Sequence, residues 1–293
     1  MNTPGKKFRK AIVDNNPLMI VGTINAYCAK MAENSGHKAL YLSGAGVANA
    51  SFGLPDLAIT TLNDVVEDSR RITQATSLPL LIDVDTGFGG AFSISRTIKE
   101  MIAADVAAIH IEDQVSQKRC GHRPNKSLVE TSEMNDRIKA AVDGRTDDSF
   151  FIMARTDSYE AEGINGAIDR SKEYIAAGAD GLFLEAVSSL DDYKKLKDVL
   201  EVPVLANITE FGKTPLFTAK ELASVGVDIM LFPLSAFRAM NKAAEFVYQD
   251  IAKTGSQKNS IEKMQTRDEL YEYLNYHSFE QKLDELFERK EKN

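Results

Sequence analysis

Cys120 lies within Lys118-Arg119-Cys120-Gly121-His122-Arg123-Pro124-Asn125-Lys126, and Glu112-Asp113 close the apolar run just before it. Cations beside a thiol favour the thiolate and lower its pKa, whereas neighbouring carboxylates raise it, so composition leaves the net shift open. Taken by itself the motif also suits an inert cysteine in a charged surface loop. Asp83 and Asp85 form a second candidate group. Two residues apart, they point the same way on an extended strand, and oxygen ligands alone suit a hard ion such as Mg²⁺, which keeps several waters. The plainer reading is a pair of turn-forming aspartates before Gly87. Arg155 and Arg238, with Arg267 further on, offer guanidinium groups that hold carboxylates bidentately.

These residues need a scaffold, and from Leu18 onward the chain alternates short apolar runs with amphipathic segments, the rhythm of a β/α protein with a parallel sheet. Strands are predicted at 18–24, 39–42, 79–82, 107–111, 150–154, 181–184, 202–206 and 228–232. Helices fall between them, with capping signatures at Thr61/Asp64, Ser132, Ser189 and Thr218/Glu221. Eight such units is the count of a (β/α)₈ TIM-type barrel, with a doubly wound sheet as the alternative. In a barrel the C-terminal strand ends carry the chemistry, and here they bear Ser43, Asp83, Asp85, Glu112, Arg155, Glu185, Asn207 and Thr209, with Arg238 shortly after the last strand. Residues 1–293 are read as one barrel domain, with 241–293 as a C-terminal helical extension.

Composition narrows the classes of function. A formal charge of -8 argues against non-specific nucleic-acid binding, so an anionic substrate has to meet local basic residues. No apolar run is long enough to cross a bilayer, and residues 1–10 lack the apolar stretch of a secretory signal, which makes the cytoplasm the expected location. With 2 cysteines, Cys28 and Cys120, there is no disulfide framework to propose. The glycines at 87, 89 and 90 lack dinucleotide-fingerprint spacing, and no His/Cys cluster has zinc-ligand spacing. His37 and His277 read as surface residues, and His110 as a core residue within a strand.

The loop Lys118-Arg119-Cys120-Gly121-His122 resembles the signature of the isocitrate lyase and phosphoenolpyruvate mutase superfamily, in its carbon–carbon lyase branch. Leu40-Tyr41-Leu42-Ser43-Gly44, Phe52-Gly53-Leu54-Pro55-Asp56, Asn207-Ile208-Thr209-Glu210-Phe211-Gly212 and 233–241 extend the similarity over residues 8 to 290. They narrow it to the members that cleave 2-methylisocitrate to pyruvate and succinate. The resemblance implies a barrel whose last helix is swapped within a homotetramer, with Mg²⁺ held by Asp83 and Asp85. It implies substrate contacts from Ser43, Gly44, Ala45, Cys120, Gly121, Arg155, Glu185, Asn207, Ile208, Thr209, Arg238 and Arg267. The expected proton donor is Cys120, with Glu112 and Lys118 setting its protonation state, and His122 stabilises developing charge. Tyr41, Asp56 or a metal-bound water takes the hydroxyl proton. Ala45 departs from the glycine expected there, and the loop after Phe88 is one residue short. Gly121 and its polar flanks suggest a mobile gate.

Related substrates remain as alternatives: isocitrate, dimethylmalate or oxaloacetate. A phosphonopyruvate-type mutase fits the Cys-Gly-His loop less well. From a different class, a non-catalytic metal-binding barrel scaffold is the alternative.

Overall fold

The computed structural model describes residues 3–123 and 125–291, so Met1, Asn2, Pro124, Lys292 and Asn293 of the ranges above lie outside it. The strands β1(Leu18–Gly22), β2(Leu40–Leu42), β3(Leu80–Asp83), β4(Ala108–Glu112), β5(Phe151–Thr156), β6(Gly181–Leu184), β7(Val204–Asn207) and β8(Ile229–Phe232) form a closed parallel barrel. Closure is made by β1 on β8, with Leu18 in register with Ile229 and Val21 with Phe232. The doubly wound alternative is thereby excluded.

Register explains why polar groups gather at one end. Along a strand alternate residues share a face, and the inward face reads Leu81 then Asp83 on β3, Ala108, His110 then Glu112 on β4, and Phe151, Met153 then Arg155 on β5. Asp83 pairs with His110 and Glu112 with Arg155 across the ladder. Apolar side chains thus fill the lower barrel, joined by Leu18, Ile20, Phe183, Leu205, Ile229 and Leu231, and the same face turns ionisable at the C-terminal rim.

The outer face packs on helices α2(Ala26–Asn34), α4(Leu62–Ala75), α5(Ala91–Ala103), α6(Thr131–Asp143), α7(Tyr159–Ala176), α8(Leu190–Val199) and α9(Ala219–Ser224). The Thr61/Asp64 and Thr218/Glu221 capping boxes are both formed, and Ser189 caps α8 as expected. Ser132 does not start its helix. The helix begins at Thr131 with Glu130 as N-cap, and the cap makes no side-chain hydrogen bond.

Two elements escape the strand-and-helix count. The helix α1(Pro4–Asp14) opens with Thr3 accepting from Lys6 N–H and with proline in its first turn, and Phe8 is fully buried. Its ring meets Phe151 edge-on at 5.4 Å, an arrangement worth about 0.5–1.5 kcal/mol beyond burial itself. After β2, in place of a long loop, the turn α3(Gly44–Gly46) runs into a π-helical turn, Val47–Ser51. Ala45 lies within α3 and is not among the left-handed residues, so its methyl needs no special backbone.

By contacts the chain separates into two compact units, one ending at Phe237 and one from Arg238. The second unit contains most of α10(Ser235–Thr254), a 3₁₀ turn at Lys258–Lys263, α11(Arg267–Leu274) and α12(Tyr276–Glu291). Within it Tyr271 stacks on Tyr276 at 4.2 Å, so these rings pack on each other. Among the described residues no helix is long and apolar enough to cross a membrane.

Candidate active site

Asp83 ends β3 and Asp85 follows it off the strand. The expectation that both carboxylates align because the backbone is extended is corrected here: Asp85 has φ 50, a left-handed conformation. The two nevertheless converge. A Cβ placed on Gly44 would lie 3.1 Å from Asp83 Oδ2 and 3.1 Å from Asp85 Oδ1, and Gly44 N–H donates to Asp83 Oδ2 at 3.3 Å. The turn is fixed by Asp85 N–H donating to Asp83 Oδ1 at 2.9 Å and by Glu112 N–H donating to the Asp85 carbonyl at 2.9 Å.

Lys118 faces this pair. Its ammonium is buried, ion-paired to Asp85 and 3.0 Å from Asp56. Burial alone would lower the Lys118 pKa, but Glu112, Asp83, Asp85 and Asp56 outweigh it and hold the pKa well above the usual lysine range. Burial lifts the Asp85 carboxyl to about 6 despite Lys118, and lifts Glu112 well above the carboxylate range despite Arg155 and Lys118. Burial also acts to raise Asp83, yet surrounding positive charge holds it below the usual range. His110 is pushed down to about 4 by burial, so at neutral pH the cations that act on Asp83 are Lys118 and Arg155.

His110 is a core residue, as read from the sequence. Its Nε2 lies 2.8 Å from the Tyr41 hydroxyl, and its ring packs against Tyr41 and edge-on to Phe183 at 5.1 Å. Burial and Asp83 push the Tyr41 hydroxyl well above the phenol range.

On the opposite side Arg155 is the hub. Its Nε donates to Asp157 Oδ2 at 2.9 Å and its Nη2 to Asp157 Oδ1 at 3.3 Å. Nη2 also lies 3.2 Å from Glu185 and Nε 3.4 Å from Glu112, while the guanidinium carbon sits 5.0 Å over the Phe183 ring. Asn207 Nδ2 donates to both Glu185 oxygens at 3.3 Å. Asp157 was missed as a site residue, though it stands two residues beyond Arg155, the same spacing as the aspartate pair. Asp113 lies beneath: it accepts from Thr156 Oγ1 at 2.6 Å, Asp157 N–H at 3.0 Å and the Tyr174 hydroxyl at 2.9 Å.

Gly121, His122 and Lys126 close on this rim. A Cβ on Gly121 would lie 2.4 Å from Arg155 Nη2 and 2.7 Å from Glu185, so only glycine brings the backbone this near. Lys126 Nζ donates to the Gly121 carbonyl at 2.7 Å and to Asp157 at 2.9 Å. His122 Nε2 lies 3.3 Å from Glu185, and its Nδ1 accepts from Lys213 N–H at 3.2 Å. That bond assigns the neutral ring proton to Nε2. Cys120 is half-buried, and burial is the largest influence on its thiol, raising its pKa against the lowering contact from His122 N–H. Burial therefore favours the protonated thiol.

Gly212 packs against the His122 ring. A Cβ there would lie 2.8 Å from Thr209 Cγ2 and 3.0 Å from His122 Cε1 and Nδ1. Gly212→Ala is expected to displace the imidazole by a few tenths of an ångström and reduce turnover about tenfold. Steady-state kinetics check this, and unchanged turnover would show that His122 is not placed by this contact.

Ser43, Thr209 and Ile208 are buried, but the Ile208 side chain belongs to the outer apolar cluster and its N–H donates to the Leu231 carbonyl at 2.8 Å. Arg238 and Arg267 belong to the C-terminal unit, at its first residue and at the start of α11.

Asp83 and Asp85 fit a hard divalent cation. Their oxygens share a cradle that one methyl would fill, and the buried Asp85 Oδ1 there is already paired with a cation, the Lys118 ammonium. Among the described residues no group of three or more His, Cys, Asp or Glu forms a metal cage.

A family model described as phosphoenolpyruvate phosphomutase matches residues 8–252. The chain is 60% identical over 283 residues to 2-methylisocitrate lyase of Shewanella oneidensis, covering 97% of each chain. Among solved structures it resembles 2,3-dimethylmalate lyase, with TM-score 0.88 and 32% identity over 96% of this chain and 94% of that one. It also resembles phosphonopyruvate hydrolase in complex with oxalate and Mg²⁺, with TM-score 0.83 and 26% identity over 95% and 97%.

Proposed function

The chain belongs to the phosphoenolpyruvate phosphomutase family, and from its likeness to relatives named 2-methylisocitrate lyase we propose that it is a carbon–carbon lyase cleaving 2-methylisocitrate to pyruvate and succinate. The observation that carries the reading is a thiol kept protonated by burial, in a loop closed by Gly121 onto Arg155 and Glu185.

In this mechanism the substrate's C2 hydroxyl loses its proton, the C2–C3 bond breaks to leave the pyruvate carbonyl, and the electron pair passes to C3 of the succinate fragment. Asp56 is proposed to take the hydroxyl proton, because it rests on the Lys118 ammonium whereas Tyr41 is hydrogen-bonded to His110 and strongly disfavoured as an anion. Asp83 and Asp85 would hold Mg²⁺, which supplies Lewis-acid stabilisation of the oxygen left on C2. Arg155, Asn207 and His122 orient the succinate carboxylates and stabilise charge as it spreads into them. Cys120 delivers its proton to C3, completing succinate, and is reprotonated before the next turnover. Lys118 joins the two halves of the site, since it touches Asp56 and Asp85 and stands two residues from the donor.

A helix-swapped homotetramer is part of the proposal: α12 exposes Phe279, Leu283 and Leu286, which share one helical face and suit burial against a second copy. A cytoplasmic location and a role in propionate catabolism complete the reading. The substrate assignment is tested by comparing kcat/KM for 2-methylisocitrate, isocitrate and 2,3-dimethylmalate with Mg²⁺ present. The first should lead isocitrate by about 10–200-fold, the range one methyl supports; a preference for either rival would replace the substrate and keep the reaction class.

A further inference from the structure

Gln114 stands outside every role assigned above, yet its side chain is almost fully buried at the base of the Cys120 loop. The segments around it close that base. Gln114 bridges Leu128 in antiparallel fashion, Val115 N–H donates to the Ser127 carbonyl at 2.9 Å and Val129 N–H to the Asp113 carbonyl at 2.9 Å. From inside this bridge the Gln114 amide reaches back to Arg119. Its Nε2 donates to the Arg119 carbonyl at 2.9 Å, and its Oε1 accepts from Arg119 N–H at 3.0 Å. The side chain thus stands where a neighbouring strand would. Its own backbone carbonyl accepts from buried Arg137 on α6 at 2.8 Å, and the same nitrogen donates to the Glu112 carbonyl at 3.0 Å.

The consequence falls on the neighbours of Arg119. Lys118 is buried, Arg119 exposed and Cys120 half-buried, the alternation of extended backbone in which residues i−1 and i+1 share a face. Fixing both polar groups of Arg119 fixes that face, and therefore aims Lys118 at Asp56 and Asp85 and turns Cys120 inward with it. We propose that Gln114 is a positioning residue for the reaction: its side-chain amide, carried on a backbone that Arg137 braces, sets the orientation of the Lys118-Arg119-Cys120 segment and so the placement of the proton donor. The proposal rests on the reading of Cys120 as that donor.

Two variants and two readouts test it. Gln114→Leu removes both hydrogen bonds; Gln114→Glu keeps the size and the acceptor for Arg119 N–H but sets a carboxylate oxygen against the Arg119 carbonyl. Turnover of 2-methylisocitrate should fall about tenfold or more in Gln114→Leu and by a smaller factor in Gln114→Glu. KM should change less than about threefold, because Arg155 and Asn207 lie on strands outside the loop and His122 has its own anchor in Lys213 N–H. Iodoacetamide labelling of Cys120, resolved from Cys28 by peptide mass, should accelerate in the same order. Labelling and turnover within about twofold of the parent in the folded variants, or a loss of melting temperature with both unchanged, would overturn the proposal. The labelling arm stands even if the parent does not cleave 2-methylisocitrate, so failure of the substrate assignment is told apart from failure of this role.

Discussion

Replacing Cys120 by serine is expected to lower turnover about 10²–10⁴-fold, the span a positioned general acid contributes, while substrate binding and melting temperature stay near the parent. Serine preserves the shape of a half-buried residue and changes what its proton can do. The hydroxyl holds its proton far more tightly than a thiol, even one raised by burial, so the carbanion at C3 waits on a poorer donor. Arg155, Glu185 and Asn207 keep their mutual contacts without the thiol, which is why affinity should survive. Steady-state kinetics, with pyruvate as a binding probe, separate the two effects. Turnover within about threefold of the parent would remove Cys120 from the acid role.

Arg155→Met is expected to cost about 3–5 kcal/mol of stability, because it strands carboxylates in the barrel interior without their cation. Asp157 loses a two-pronged contact and Glu185 and Glu112 lose an ion pair each. Lys126 still serves Asp157 at 2.9 Å and Asn207 still donates to Glu185, which leaves the fully buried Glu112 carrying most of the loss. The melting temperature should drop by about 10 °C, and turnover by about 10²–10³-fold through loss of a charge aimed at the developing anion. Thermal unfolding within about 2 °C of the parent would show that the carboxylates adapt without Arg155.

The barrel was legible because its strands are short apolar runs whose inward face turns ionisable at one end, and the sequence placed β6 at its observed bounds. Strands β3, β4 and β5 each run on to take in Asp83, Glu112 or Arg155, since apolar patterning stops where the site begins. The helix α1 was passed over although Phe8, Ala11 and Ile12 have helical spacing behind a Thr3 cap. Its polar, basic residues outnumber that stripe. The turn Val47–Ser51 leaves no apolar periodicity to read. Aspartates two apart were found for a reason that does not hold, because Asp85 is left-handed and not extended. Gln114 and Gly212 are hidden in the sequence because their significance lies in contacts to Arg119 and His122, which spacing does not display, whereas the two-residue step from Arg155 to Asp157 is a readable signal.

The central claim is that this barrel breaks a carbon–carbon bond of 2-methylisocitrate. The most direct measurement follows the purified full chain with Mg²⁺ and 2-methylisocitrate by proton NMR. The account predicts pyruvate and succinate rising together in equal amounts as substrate falls. Folded protein that leaves the substrate intact, or yields one product without the other, would contradict it.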